Sequence, residues 1–298
     1  MIMSQEIWPN FFIVGAAKAA TTSLYYYLKG IPGVYMSPVK ETHYFSHHNI
    51  QREIKDKNDY LELFRKAGAH DAIGEASPSY LWDPDAPKLI HQAAPTARMI
   101  VILRDPIQRA YSHYLMDLRY TGNKKSFYEE LIEGYNNQEK MIGVSNLYVD
   151  LGMYHEQLKR YFDLFGSEQV KVTIFEEFIK QPVETVNEVL AFLGVNNRFN
   201  QINDVPYNPY SLPRSRISIW VYAFFRWLRA KNLKPYKFIN LFPDSITETL
   251  AERVLFKSAQ KPPMPHEARQ FLQKIYYDDV IKLQSLLGRT LPWSIIKQ

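Results

Sequence analysis

Residues 11–28 read FFIVGAAKAATTSLYYYL. Four apolar residues, Phe11 to Val14, stop at Gly15; small residues follow with Lys18 alone among them, and Thr21, Thr22 and Ser23 open a second pattern that runs to Leu28. A short apolar run reads as a buried strand, and hydroxyls ahead of a new apolar period mark the start of a helix. A bend at that junction aims successive backbone N–H groups at one point, and the helix N-terminus adds partial positive charge. Lys18 adds a full charge, and the hydroxyls serve as donors or N-caps. The combination suits a phosphate. It departs from the nucleotide triphosphatase pattern G-x-x-x-x-G-K-[ST], because no glycine precedes Lys18. Taken alone, the stretch is equally compatible with an ordinary strand-to-helix turn.

Working outward, five short apolar runs stand out: Phe11–Val14, Val34–Met36, Ala72–Gly74, Met99–Leu103 and Val170–Phe175. Helical periods lie at Thr22–Leu28, Tyr60–Phe64, Ile107–Leu118, Phe127–Gly134, Tyr154–Phe165, Val183–Leu193 and through residues 267–288. Strands alternating with helices predict an α/β fold, a mostly parallel β-sheet flanked by helices on both faces. Ligands of such sheets bind at the carboxyl ends of the strands. After about residue 200 the pattern changes to proline-rich loops, a basic aromatic helix and a last helix. Residues 1–298 are read as one domain, with a sheet core over 1–200 and a helical C-terminal lid region over 201–298. The segment Pro206–Pro265 is the expected mobile, acceptor-facing part. Trp220, Phe224, Phe225 and Trp227 within it read either as an acceptor wall or as a packed helix face.

The bulk numbers narrow the function classes. A chain of 298 residues with 46% apolar content buries a large core and is not disordered. The formal charge of +5, from 36 basic and 31 acidic residues, suits anionic small ligands. No dense basic block or stripe marks a nucleic-acid surface, so no nucleic acid is expected. With no cysteine, disulfides, thiolate metal sites and cysteine nucleophiles are excluded. MIMSQEIWPNFF lacks a signal-peptide pattern, and ISIWVYAFFRWL (Ile217–Leu228) is too short to span a bilayer and carries Arg226. A cytoplasmic location without a transmembrane segment is expected. His47, His48 and His70 read as surface residues without metal-ligand spacing, and no metal is expected.

The strand ends carry the rest of the chemistry. MIVIL runs into RDPIQRAYSHYL, with Arg104 at the strand end, Pro106 in the first turn of the next helix and Ser112 further along it. Arginine and serine suit a second phosphate bound without metal, where a triphosphatase would place an acidic residue for Mg²⁺. The plainer reading pairs Arg104 with Asp105 or Glu75. In SPVKETHYFS, Lys40, Glu41 and His43 cluster beside Tyr44 and Phe45. A carboxylate beside a lysine can take a proton while the lysine holds developing negative charge. Glu75, in GEASPSYLW, either orients the site or caps the next turn.

GAAKAATTSLYYYL, SPVKETHYFS, GEASPSYL, VILRDPIQRAYSHY, KVTIFEEF and LLGRTLPW occur in this order over nearly the whole chain. Together they resemble the sulfotransferases that use 3'-phosphoadenosine-5'-phosphosulfate (PAPS). The likeness is greatest to the branch of heparan sulfate O- and N-sulfotransferases and their bacterial relatives. The resemblance implies a P-loop-like fold and a first loop holding the 5'-phosphosulfate, with Lys18, Thr21, Thr22 and Ser23 as ligands and Gly15 and Ala20 in the same loop. It gives the 3'-phosphate to Arg104 and Ser112, and the role of catalytic base to Glu41 with Lys40 beside it; His43 is the competing base. Adenosine 3',5'-bisphosphate is then the product and a small-molecule, lipid or carbohydrate hydroxyl or amine the acceptor. Two positions depart from the branch. Ala76 stands where a lysine is usual after the glutamate, which argues against a heparan-like acceptor. KSAQKPP replaces the usual late glycine-bearing loop over the 3'-phosphate, where Lys257, Lys261 and Arg214 supply charge. A P-loop kinase and a non-catalytic nucleotide-binding protein are the alternative readings.

Overall fold

The computed structural model describes residues 6–50, 54–68, 70–121, 125–143, 146–200, 211–215, 218, 221 and 255–296. Its centre is a parallel five-stranded sheet: β1 (Phe11–Gly15), β2 (Val34–Met36), β3 (Ala72–Ala76), β4 (Arg98–Leu103) and β5 (Val170–Ile174), in the order β2-β3-β1-β4-β5. The middle strand, FFIVG, is buried at every position. A continuous apolar run without alternation is what a parallel strand covered on both faces requires. Around the sheet lie α1 (Thr21–Lys29), α2 (Lys57–Glu62), α3 (Ala86–Ala93), α4 (Pro106–Thr121), α5 (Phe127–Asn136), α6 (Tyr154–Phe165), α7 (Phe175–Phe178), α8 (Pro182–Leu193) and α9 (His266–Leu287).

Because all five strands run the same way, their carboxyl ends meet at one edge. Parallel strands need crossover connections, so the order places β3 on one side of β1 and β4 on the other. The register joins Phe12 to Glu75 on β3 and to Met99 on β4. Beyond the strand ends the pairing continues into the loops: Leu81 donates its amide to the Val14 carbonyl at 2.8 Å, and Ala16 to that of Ile102 at 2.8 Å. This packing explains Gly15. A Cβ there would lie 2.6 Å from the Leu81 Cβ, so any side chain would drive the β3 loop away from the end of β1.

The helix ends follow from local chemistry. Asp105 caps α4, its Oδ1 accepting the amides of Ile107 and Gln108, while Oδ2 accepts from the Ser294 amide and hydroxyl. Ser126 and Glu129 form a reciprocal capping box on α5. Asp279 of α9 caps a different helix, accepting the Tyr154 amide of α6 at 2.8 Å. Trp293, buried beyond α9, donates to Glu176, which also accepts the Asp105 amide. The C-terminal segment thus fastens the loop that follows β4.

Every apolar run expected to be a strand is one, and the flanking helices follow on both faces. The sequence reading missed α3, whose eight residues carry a short period, and a two-stranded antiparallel ribbon. That ribbon is β6 (Ser211–Pro213) with β7 (Phe256–Ser258), so the described part of the C-terminal region is not helical throughout. Trp220, Phe224, Phe225, Trp227 and Arg226, and most of Pro206–Pro265, lie outside the described residues. Among the described residues no helix is long and apolar enough to cross a membrane.

Candidate active site

The bend after β1 is built from backbone. Lys18 and Ala20 take left-handed conformations, with φ of 69° and 65°. Ala20 is the N-cap of α1 and offers no side-chain cap. The amides of Lys18 and of Ala20 through Ser23 find no acceptor among the described residues, and the Thr21, Thr22 and Ser23 hydroxyls likewise find no partner there. Alternating backbone conformations of this kind form a concave nest of N–H groups that binds anions. All six loop residues expected at this site, Gly15, Lys18, Ala20, Thr21, Thr22 and Ser23, therefore share one bend.

The Lys18 ammonium lies against α4, 3.3 Å from the Met116 sulfur. Burial pushes its pKa down to about 8; Arg104 and Lys261 push the same way, while Glu41 and Asp117 oppose them. A lysine held this way lacks a strong partner and gains one when an anion arrives. Arg104 is bound to the same bend, donating from Nη1 to the Lys18 carbonyl at 2.9 Å, with its guanidinium over the Phe175 ring at 4.4 Å. Among the described residues its buried Nε finds no acceptor. The expectation of a structural pair with Asp105 or Glu75 is thus not met: Asp105 caps α4 and Glu75 bonds Thr42. Lys261 lies close enough to Arg104 to feel its charge, and burial and Arg104 both lower the Lys261 pKa. Tyr111 of α4 holds the chain just beyond it, donating to the Pro262 carbonyl at 2.9 Å. Ser112 is half-buried on α4, next to Tyr111. Arg214 lies just past β6, its amide bonded to the Leu255 carbonyl, and Lys257 is on β7.

The second loop follows β2. Ser37 donates its amide to the Gly74 carbonyl and Glu41 to the Ala76 carbonyl at 2.9 Å, so the loop runs along the carboxyl end of β3. Lys40 and Glu41 form an ion pair, and His43 Nε2 lies 3.8 Å from Glu41 Oε2. His43 Nδ1 meets the Ser79 hydroxyl at 2.8 Å. The Glu41 side chain is 44% exposed. Burial alone would raise its pKa, but the charges of Lys40, His43 and Lys18 and the Lys40 hydrogen bond outweigh it and hold the carboxyl below the usual range. Burial lowers the His43 pKa, with Glu41 opposing and Lys40 assisting, so the imidazole is neutral around pH 7. The loop therefore presents an ionised carboxylate and a neutral imidazole, both able to accept a proton. Phe45 is buried, and Tyr44 stacks on Tyr60 at 4.1 Å, as expected of a loop anchored by its aromatic residues.

Sequence reasoning did not find Met116, Asp117 or Tyr111. All three are on α4: Met116 meets the Lys18 ammonium, the Asp117 charge acts on it, and Tyr111 bonds the chain beyond Lys261, contacts that only the fold reveals. It also assigned no metal ligands near His47 and His48, whereas the fold brings Asp83 and Asp85, more than 30 positions later, to His48. The two Asp83 oxygens are already used by the Ser46 hydroxyl and the amides of His48 and Asp85. Asp83, the buried member, thus supports a turn, while His48 and Asp85 are partly exposed.

Comparisons with known proteins give the family. Residues 9–209 match the sulfotransferase domain family, and the chain belongs to it. It is 25% identical over 291 residues to a mouse bifunctional heparan sulfate N-deacetylase/N-sulfotransferase 4, covering 94% of this chain and 30% of that protein. It is 27% identical to human carbohydrate sulfotransferase 15 over 63% of this chain and 44% of that one. The chain thus spans between about a third and a half of these relatives. A crystal structure of a sulfotransferase from Alicyclobacillus acidocaldarius superposes with a TM-score of 0.71 at 30% identity, over 96% of this chain and 98% of that one.

Proposed function

We propose that the chain transfers the sulfuryl group of PAPS to a hydroxyl or amine of a carbohydrate or small-molecule acceptor. One observation carries the reading. Amides and hydroxyls at the β1–α1 bend that find no partner among the described residues, a buried Lys18, and Arg104 bonded to the Lys18 carbonyl lie together, with the ionised Glu41 near enough for its charge to act on Lys18. The donor set fits an adenosine nucleotide with two separated anionic groups. The Lys18 bend suits the 5'-phosphosulfate, and Arg104 with Ser112 and Lys261 suits the 3'-phosphate.

The acceptor oxygen or nitrogen attacks sulfur as the bond from sulfur to the bridging phosphate oxygen breaks. The electron pair leaves with adenosine 3',5'-bisphosphate, and the acceptor proton passes to Glu41. Lys18 holds the charge that grows on the leaving oxygen, a task for which a fixed cation in a water-poor site is effective. Lys40 keeps Glu41 ionised, and His43 is the neighbouring base. The carbohydrate-directed relatives favour a sugar acceptor, while Ala76 leaves the acceptor side without the lysine that an acidic glycan calls for.

The test is mass spectrometry of products after incubation with PAPS and a panel of sugars, hydroxylated metabolites and amines, without Mg²⁺. A product heavier by one sulfuryl group is expected. In a parallel incubation of the same panel with Mg·ATP, transfer of phosphate in place of sulfuryl transfer from PAPS would replace the reading with that of a kinase.

A further inference from the structure

Glu41 and His43 both sit in the left-handed region, with φ of 63° and 52°. For side-chain-bearing residues that conformation is strained, and it persists only where the surroundings enforce it. The residue between them is Thr42, fully buried, whose hydroxyl is bonded to Glu75 Oε2 and lies 3.2 Å from the Tyr80 hydroxyl. Glu75 is on β3, fully buried, in register with Phe12 at the sheet centre. The groups facing it are hydroxyls: Thr42 from the loop, Tyr60 from α2 and Tyr80 from the turn after β3. Its Oε1 lies outside good hydrogen-bond geometry with all of them. A carboxyl buried without a cation is expensive, and an apolar residue would serve the core better. Such a group is retained for what it holds.

We infer that Glu75 is a positioning residue: through Thr42 it fixes the two strained residues of the loop, so that the Glu41 carboxylate and the His43 imidazole face the cleft together. The inference rests on the reading of Glu41 and His43 as the groups that handle the acceptor proton. The Lys18 bend belongs to β1 and α1, and among the described residues Glu75 makes no hydrogen bond to it. Nucleotide binding is therefore independent of this support.

Histidine NMR reads the positioning without any acceptor. In the full chain, the His43 imidazole is assigned by its loss in His43→Gln and titrated in Glu75→Ala and Glu75→Gln, with adenosine 3',5'-bisphosphate calorimetry alongside. In Glu75→Ala the loop relaxes, and the depressed His43 titration rises toward about 6.5. In Glu75→Gln the amide oxygen still accepts from Thr42, and the titration stays where it was. Nucleotide affinity stays within about twofold in both. Sulfuryl transfer, once an acceptor is in hand, falls roughly 10- to 100-fold in Glu75→Ala with the nucleotide KM unchanged, and recovers in Glu75→Gln. An unmoved His43 titration in Glu75→Ala overturns the inference. So does a parallel collapse of nucleotide affinity, which would make Glu75 a general support of the fold. The NMR result stands whether or not Glu41 proves to be the base, because that question is decided separately by the Glu41→Gln rate.

Discussion

The two loops at the sheet edge solve different problems with different materials. The bend of residues 15–23 presents mostly backbone: a run of amides, one lysine and three hydroxyls, all within nine consecutive positions. The loop of residues 37–46 presents side chains, and its shape depends on residues more than 30 positions away, namely Glu75, Ser77, Ser79 and Tyr80. An anion is satisfied by many weak donors, so the first loop tolerates small displacements. A proton transfer needs one group at one place. The second loop is therefore the one stiffened by buried hydrogen bonds.

That contrast is broken most sharply at Lys18. Lys18→Ala removes the one full charge of the bend, and turnover should fall on the order of 100-fold or more. A near-normal kcat would show that the backbone alone carries the site. Arg104→Ala should weaken adenosine 3',5'-bisphosphate by roughly 1.5–3 kcal/mol more than the 5'-monophosphate, because the charged hydrogen bond to the 3'-phosphate is lost only for the first, while the lost bond to the Lys18 carbonyl is common to both. Calorimetry on both nucleotides separates this from a structural role, in which both would weaken equally.

A finer test uses pH. Lys18 releases its proton at about 8 in the free protein, and a bound anion raises that value. Binding then takes up a proton above pH 8, so affinity should be flat below that point and fall toward tenfold per pH unit above it. Lys18→Met should flatten the profile. The second loop shows its cost in stability. Burial raises Glu75 to about 7, above the ordinary 4.5, so its folded state binds the proton more tightly than the unfolded chain does. Stability linked to this group is present at low pH and is lost as pH rises from about 4.5 through 7. Glu75→Gln removes an upper bound of about 3 kcal/mol of that penalty at pH 8, and none at pH 4. Melting curves at the two pH values should show a raised Tm only at the higher one.

The same contrast decides what was legible in the sequence. The bend after β1 is local, and glycine, lysine and hydroxyls at short spacing announce it. The five strands are continuous apolar runs that admit few other readings. Arg104 was legible as a strand-end residue, but its attachment to the Lys18 carbonyl was not, because the two are 86 positions apart. Glu75 was ambiguous for the same reason: nothing near it in the chain says that Thr42 will fold over it. Helix α3 carries too short a period to stand out, and the β6–β7 ribbon joins strands of three residues across more than 40 positions. Tyr111, Met116 and Asp117 belong to an ordinary helical pattern, and only the docking of α4 brings Met116 and Asp117 to Lys18 and Tyr111 to the chain beyond Lys261.

The division of labour between the loops is tested most directly by Glu41→Gln, a nearly isosteric change that removes the ability to accept a proton. Its sulfuryl-transfer rate is measured with the acceptor found by mass spectrometry, beside its affinity for adenosine 3',5'-bisphosphate. The account predicts a kcat lower by roughly 100-fold or more with nucleotide affinity unchanged. A Glu41→Gln enzyme of normal rate, beside a His43→Ala enzyme that is inactive, would contradict it and move the base two residues along the same loop.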